Sequence, residues 1–209
     1  MEPVFWDSIY SSDSSFFGNE PSVLAREALS FFEKYGCRNL LEFGCGQGRD
    51  TIFFARSGLK VTAIDYSAVS LSQLNDSAAK LGLGDSVTSV CVDLSMSLPE
   101  TGAQKMDAIF AHLFFAMPFS DGELERLSEY AHNVLRHNGL LVFSIRSKED
   151  ASYGKGTNIG KDTYEVNGYK IRFFDQGGIL GFFKQFRILK VKQAYEEPCS
   201  LLLVLLEKP

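Results

Sequence analysis

The chain predicts a single α/β domain over 1–209, built on a mostly parallel sheet, and three observations carry that reading. Strand-like apolar runs alternate with amphipathic helical stretches between residues 20 and 145, the pattern of successive βα units. Three glycines at alternate positions, Gly44, Gly46 and Gly48, join the first of these strands to the helix that follows. Three acids, Glu42, Asp65 and Asp93, stand at the ends of three successive strands, so they converge on the carboxyl edge of the sheet.

In chain order, the stretch 1–19 carries Trp6, Tyr10, Phe16 and Phe17 among polar residues and ends in Gly18-Asn19. It is too aromatic for a disordered tail and too irregular for a regular strand or long helix. It reads as a segment that packs on the main body, or as a lid over a bound ligand. Residues 20–36 read as a helix opening near Pro21, with Val23, Leu24, Ala28, Leu29 and Phe32 in one stripe and Gly36 at its end. The first strand, 38–43, feeds the turn Gly44-Cys45-Gly46-Gln47-Gly48, and 49–58 reads as a helix closed by Gly58. Glycines there permit a tight turn, admit a ligand to the backbone and place it near the positive end of the helix dipole. The second strand, 59–65, ends at Asp65, seventeen positions after Gly48, near the spacing of an acid that grips a ribose diol. Tyr66 follows, and Ser67 caps a helix over 67–81. The third strand, 86–92, ends at Asp93-Leu94.

The fourth strand, 106–112, opens on Asp107 and ends in Ala111 and His112. A lone histidine there is either a surface or hydrogen-bonded residue, or one that places or deprotonates a substrate. Residues 113–118 are apolar and read equally as the wall of a site mouth or as core. Ser120-Asp121-Gly122-Glu123 starts a helix to about residue 135, His137-Asn138-Gly139 is a turn, and 140–145 is the fifth strand. From 146 to 162 the composition shifts to Ser, Lys, Gly, Glu and Asp, with Arg146, Lys148, Lys155 and Lys161 making it locally basic. That stretch is a solvated loop, or a substrate cover suited to an anionic acceptor. Residues 163–166 and 169–174 flank Asn167-Gly168 as a β-hairpin, so 146–174 as a whole adds a loop and a hairpin to the sheet. A short helix over 176–185 leads to two final strands, 187–194 and 199–207.

Composition narrows the function. Hydrophobic residues make up 45% and charged residues 22%, enough to bury a real core. Eighteen phenylalanines suggest an apolar lining somewhere. A net charge of -5 disfavours broad contact with nucleic-acid phosphates. Cys37, Cys45, Cys91 and Cys199 are scattered, without the paired spacing of a zinc site, and fit buried thiols in a reducing compartment. Cys45 reads as a compact filler of the turn. The N-terminus lacks a basic segment followed by a long apolar run, and the longest apolar stretch, 201–206, is too short to span a membrane. A cytoplasmic protein, monomer or homodimer, is the expectation.

The spacing of the turn then matters. A dinucleotide fingerprint wants G-x-G-x-x-G, and here Arg49 stands where its third glycine would be. Glu42-Phe43-Gly44-Cys45-Gly46-Gln47-Gly48 instead resembles the E/D-x-G-x-G-x-G signature of class I S-adenosylmethionine-dependent methyltransferases. The Gly-Cys-Gly-Gln-Gly-Arg turn and the fifth-strand region look most like the small tellurite-resistance and thiopurine-type enzymes. Tellurite enzymes carry a His-Arg pair before the terminal strand, whereas here Gln193-Ala194-Tyr195-Glu196 occupies that region. The resemblance covers residues 20–145 and implies a Rossmann-like three-layer sandwich. Its seven-stranded sheet has order 3-2-1-4-5-7-6, strand seven antiparallel, with the hairpin added. It implies that Glu42 orients the methionine end of S-adenosyl-L-methionine, that Gly44, Cys45, Gly46, Gly48 and Arg49 form the turn that admits it, and that Asp65 binds both ribose hydroxyls. The resemblance implies further that Tyr66 lies against the adenine, that Asp93 and Leu94 meet its amino edge, and that Ala111 lies on the cofactor side of strand four. Trp6-Asp7-Ser8-Ile9-Tyr10 matches a Trp-Asp-x-x-Tyr opening found in similar small methyltransferases, which implies a lid carrying Trp6.

The chemistry so implied is in-line displacement at the sulfonium methyl carbon, leaving S-adenosyl-L-homocysteine, with a small molecule as acceptor. The protein's part is to align the groups and exclude water. Thiolate or selenide acceptors need little base catalysis. Oxygen or nitrogen acceptors call for a proton acceptor, for which His112 and Tyr10 are the candidates. Two alternatives remain at this level: a non-catalytic protein that binds the cofactor or its product, and a nicotinamide oxidoreductase.

Overall fold

The computed structural model describes residues 3–99 and 105–209. The chain divides into two compact units, Met1–Phe110 and Ala111–Pro209.

The first unit runs α1 (Pro3–Ser12), α2 (Val23–Lys34), β1 (Asn39–Phe43), α3 (Arg49–Arg56), β2 (Lys60–Asp65), α4 (Ala68–Lys80), β3 (Val87–Cys91) and β4 (Met106–Ala111). Its strands lie in the order β3-β2-β1-β4, all parallel, as expected. Parallel pairing needs a crossover between strands, and the βα alternation supplies one each time. The caps follow the sequence signals: Ser22 accepts from the Ala25 N–H and Ser67 from the Ser70 N–H, each satisfying a backbone donor left over at a helix start. Phe54 is the core's hinge, with ring centroids 5.5 Å from Phe32 and 4.9 Å from Phe110, all three fully buried. Such pairs add about 0.5–1.5 kcal/mol each beyond area burial. Asp107 is structural, its Oδ2 accepting the N–H groups of Arg38 and Asn39 at 2.8 and 2.9 Å and so setting the start of β1.

The second unit runs α5 (Asp121–Val134), β5 (Leu135–Ser147), β6 (Thr157–Gly160), β7 (Thr163–Val166), β8 (Tyr169–Phe174), α6 (Gln176–Leu180), β9 (Arg187–Glu196) and β10 (Cys199–Glu207). β10 lies antiparallel between β5 and β9, which realises the expected 5-7-6 arrangement. Ser120 and Glu123 form a reciprocal capping box at the start of α5. Phe115, Phe143 and Phe183 pack with centroids 5.0–5.3 Å apart, so much of the phenylalanine content serves as core. Phe115 is fully buried, which settles that part of the 113–118 stretch as packing.

Four expectations need correction. The N-terminal stretch is not irregular: Pro3–Ser12 is a ten-residue helix, whose aromatics are spaced to share a face. The added hairpin is a three-stranded antiparallel meander, β6-β7-β8, because Thr157–Gly160 pairs with β7 where a loop was expected. Its Asn167-Gly168 turn has positive φ at both residues, 51° and 83°, as a two-residue hairpin turn requires. Asn138 takes φ 57° but does not end a strand, since its N–H donates to the Lys208 carbonyl at 2.9 Å and β5 runs through it. The helix expected over 176–185 closes after five residues. Among the described residues no helix is long and apolar enough to cross a membrane.

Candidate active site

The glycine turn of the first unit is built by steric necessity. Gly48 adopts φ 85°, and a Cβ there would meet Leu74 Cδ1 at 2.2 Å. Gly46 adopts φ 52°, and a Cβ there would sit 3.0 Å from the Tyr10 hydroxyl. The turn is tied to the next strand end by Asp65, whose Oδ2 accepts the Gly46 N–H at 2.8 Å while Oδ1 accepts the Ser67 N–H at 2.9 Å. Burial pushes the Asp65 carboxyl up, and the N–H groups of Ser67, Gly46 and Tyr66 oppose that shift.

Glu42 lies deeper than a carboxylate lining the turn. It is 3% exposed, and the Thr51 hydroxyl donates to its Oε2 at 2.6 Å. Burial first, then the Asp50 charge, push its carboxyl up to about 8. The Thr51 hydroxyl and the Arg49 charge oppose that shift only in part, so this group is mostly protonated at neutral pH. Cys45 is buried and its thiol is pushed well up by burial and by Asp65 and Glu42, consistent with an inert filler.

Burial first, then the charges of Asp65, Asp93 and Asp7, push the hydroxyl of the half-buried Tyr66 up. Asp93 Oδ1 accepts the Ser95 N–H at 2.8 Å, and Leu94 and Ala111 are buried. Asp7 is a residue that sequence reasoning passed over although it lies within the quoted Trp6–Tyr10 motif. Its carboxylate accepts from the Ser67 hydroxyl at 2.5 Å and so reaches the same strand end as Asp65.

The N-terminal segment is docked on the turn. Trp6 stacks on Tyr10 with centroids 5.5 Å apart, and Tyr10 is 5% exposed. Gln73 Nε2 donates to the Tyr10 carbonyl at 2.9 Å, and Gln47 Nε2 to the Asp13 carbonyl at 2.8 Å. Arg49, expected to face the cofactor, donates from Nη1 to the Phe17 carbonyl at 3.0 Å, with Nε 3.5 Å from Asp50. Its charge is committed to the segment that covers the turn.

In the second unit, His112 Nδ1 lies 2.8 Å from Ser144 Oγ, and Nε2 lies 3.7 Å from Glu196 Oε1. The sequence placed His112 but carried no signal for Ser144 or Glu196, which come from β5 and β9. The basic 146–162 stretch is largely neutralised: Arg146 pairs with Asp150, Lys148 bridges Asp162 and Asp175, and Lys161 pairs with Asp121.

Residues 40–139 match the family described as a methyltransferase domain. That stretch is similar to a methyltransferase domain. Solved structures of this fold include the CcbJ methyltransferase of Streptomyces caelestis, 16% identical over 97% of this chain and 95% of its own, TM-score 0.75. Another is the 1,6-didemethyltoxoflavin-N1-methyltransferase of Burkholderia thailandensis, solved with 1,6-didemethyltoxoflavin and S-adenosylhomocysteine. It is 18% identical over 99% of this chain and 86% of its own, TM-score 0.74. TehB of Haemophilus influenzae is 14% identical over 88% of this chain and 62% of its own, TM-score 0.66. At these identities the likeness is one of fold: the chain has the Rossmann-like mixed α/β architecture expected from its sequence.

Proposed function

We propose that this chain transfers the methyl group of S-adenosylmethionine to a small-molecule acceptor by in-line displacement. The observation that carries the reading is the acidic strand edge of the first unit, where Asp65 holds the Gly46 amide and Asp65, Asp93 and Asp7 act together on Tyr66. Such an edge repels pyrophosphate and suits a nucleoside with a ribose diol, an amino group and a positive charge. S-adenosylmethionine has those groups, and when bound it supplies a methyl carbon already activated by a sulfonium. The family match and the fold of the solved methyltransferases support the same choice.

In this reading Asp65 accepts from the ribose hydroxyls, Tyr66 lies along the adenine, and Asp93 and Leu94 meet its amino edge. Gly44, Gly46 and Gly48 let the methionine portion approach the backbone. Glu42 ionises when a cation is bound, and so couples the turn to cofactor charge. Helix α1, with Trp6 and Tyr10, acts as the lid and excludes water. The acceptor's lone pair forms the bond to the methyl carbon as the sulfur keeps the pair of the bond that breaks. His112 is the acceptor-side residue, and Tyr10, buried against Gly46, serves the lid.

The test is calorimetric titration with S-adenosylmethionine, S-adenosylhomocysteine and NAD. Micromolar binding of the first two without NAD is expected. Binding of NAD alone would overturn the reading. Tight cofactor binding with no turnover of any amine, thiol or hydroxyl acceptor would favour a non-catalytic binding protein.

A further inference from the structure

The glycine turn is tied to the N-terminal segment through its own side chains. Gln47, between Gly46 and Gly48, commits both amide hydrogens and the amide oxygen there. Its Nε2 donates to the Asp13 carbonyl and to Gln73 Oε1, each at 2.8 Å, and its Oε1 accepts the Phe16 N–H at 3.0 Å. Gln73, on α4, extends the chain of bonds, its Nε2 donating to the Tyr10 carbonyl at 2.9 Å. Arg49 adds a bond to the Phe17 carbonyl at 3.0 Å. The partners of all three side chains on the segment are backbone groups of 10–17, so what is held is the path of the chain.

The segment so held lies over the turn. Tyr10 is buried, and its hydroxyl stands 3.0 Å from the position that a Cβ on Gly46 would take. Beyond Ser12 the hold is largely polar. Phe16 and Phe17 are 38% and 44% exposed, packing on each other with centroids 4.9 Å apart and on Trp6. A stretch held by exposed hydrogen bonds, with little apolar burial, lies at the low end of local stability and opens ahead of the core.

We propose that residues 13–17 are a strap latched by Gln47, and that release of this latch is the gate through which the cofactor enters and leaves the turn. The proposal rests on the methyl-transfer reading above and adds to it what fastens the lid and which rates the fastening governs. Each latch bond joins two groups of the chain, so it forms equally in the free and in the cofactor-bound protein. A contact made equally in both states leaves the binding equilibrium alone. It reduces the fraction of time the strap is open, and entry and exit slow by the same factor. A clamp that gripped the cofactor would instead slow exit alone and tighten binding.

The experiment measures association and dissociation of S-adenosylhomocysteine by surface plasmon resonance for wild type, Gln47→Ala and Gln73→Leu. Failure of wild type to bind is seen first and overturns the cofactor reading on which the proposal rests. With binding established, Gln47→Ala loses three hydrogen bonds and should raise both rates about tenfold, with affinity within about threefold of wild type. Gln73→Leu keeps the Gln47 bonds to Asp13 and Phe16 and should raise both rates by a smaller factor. It lies on α4, outside the turn, and carries the test if thermal unfolding shows that Gln47→Ala does not fold. Hydrogen exchange at the Phe16 amide should quicken in Gln47→Ala both with and without S-adenosylhomocysteine. A rise in dissociation alone, a rise in association alone, or unchanged rates in the folded variant overturns the gate.

Discussion

The backbone N–H of Gly46 donates to the carboxylate of Asp65 at 2.8 Å, joining the glycine turn to the end of the neighbouring strand. The residue that would hold the ribose thus also holds the turn that would admit the cofactor. Asp65→Ala should weaken S-adenosylmethionine binding at least tenfold, measured by calorimetry. It should also cost about 1–3 kcal/mol in stability, since the N–H groups of Gly46 and Ser67 lose a buried acceptor. Unchanged affinity would remove the ribose assignment.

Glu42 makes folding and binding depend on pH. Its carboxyl stands at about 8 in the folded chain against an ordinary 4.5, so the folded state keeps a proton that the unfolded chain releases between those values. The stability associated with this neutral group is full below about pH 4.5 and is lost as pH rises towards 8, by roughly a few kcal/mol. Glu42→Gln cannot ionise and should flatten that slope in denaturant unfolding at several pH values. A cationic cofactor favours the ionised form, so binding near neutral pH should release a fraction of a proton from wild type and none from this variant. Calorimetry in buffers of different ionisation enthalpy reads that release directly.

Gly48 cannot carry a side chain without displacing Leu74. Gly48→Ala combines a strained φ of 85° with a Cβ 2.2 Å from Leu74 Cδ1, and should cost about 2–4 kcal/mol. Adding Leu74→Ala to it should make the combined loss smaller than the sum of the two single losses. Additive losses in thermal unfolding would show that the contact is not the cause.

Trp6 stacks on Tyr10, whose hydroxyl lies against Gly46 of the turn. Trp6→Ala should leave the sheet intact and speed hydrogen exchange across Pro3–Ser12. It should also raise the dissociation rate of S-adenosylhomocysteine severalfold in stopped-flow measurements. Equal rates would mean that α1 is packing alone.

The glycine turn, the acids at three strand ends and the helix caps were all readable because each is local. A motif of alternate glycines, a strand period and a capping serine are set by backbone sterics and hydrogen bonds between near neighbours. The hairpin at Asn167-Gly168 was legible for the same reason. Helix α1 was not, because its turn-by-turn signal is weak and its order comes from Ser67, Gln47 and Gln73, which reach Asp7, Asp13 and Tyr10 from distant parts of the chain. β6 was missed because a short exposed strand of Thr, Asn, Ile and Gly takes its conformation from the partner strand.

The sequence by itself determined the order of the βα units, the glycine turn and the acids at the strand ends. Those follow from spacing along one chain. Only the tertiary structure decided that Glu42 is buried and resists ionisation, that Arg49 is spent on Phe17, and that Ser144 and Glu196 flank His112. Desolvation and charge pairing depend on which groups share a volume, and residues 32 and 84 positions away from His112 share one only after the strands have paired.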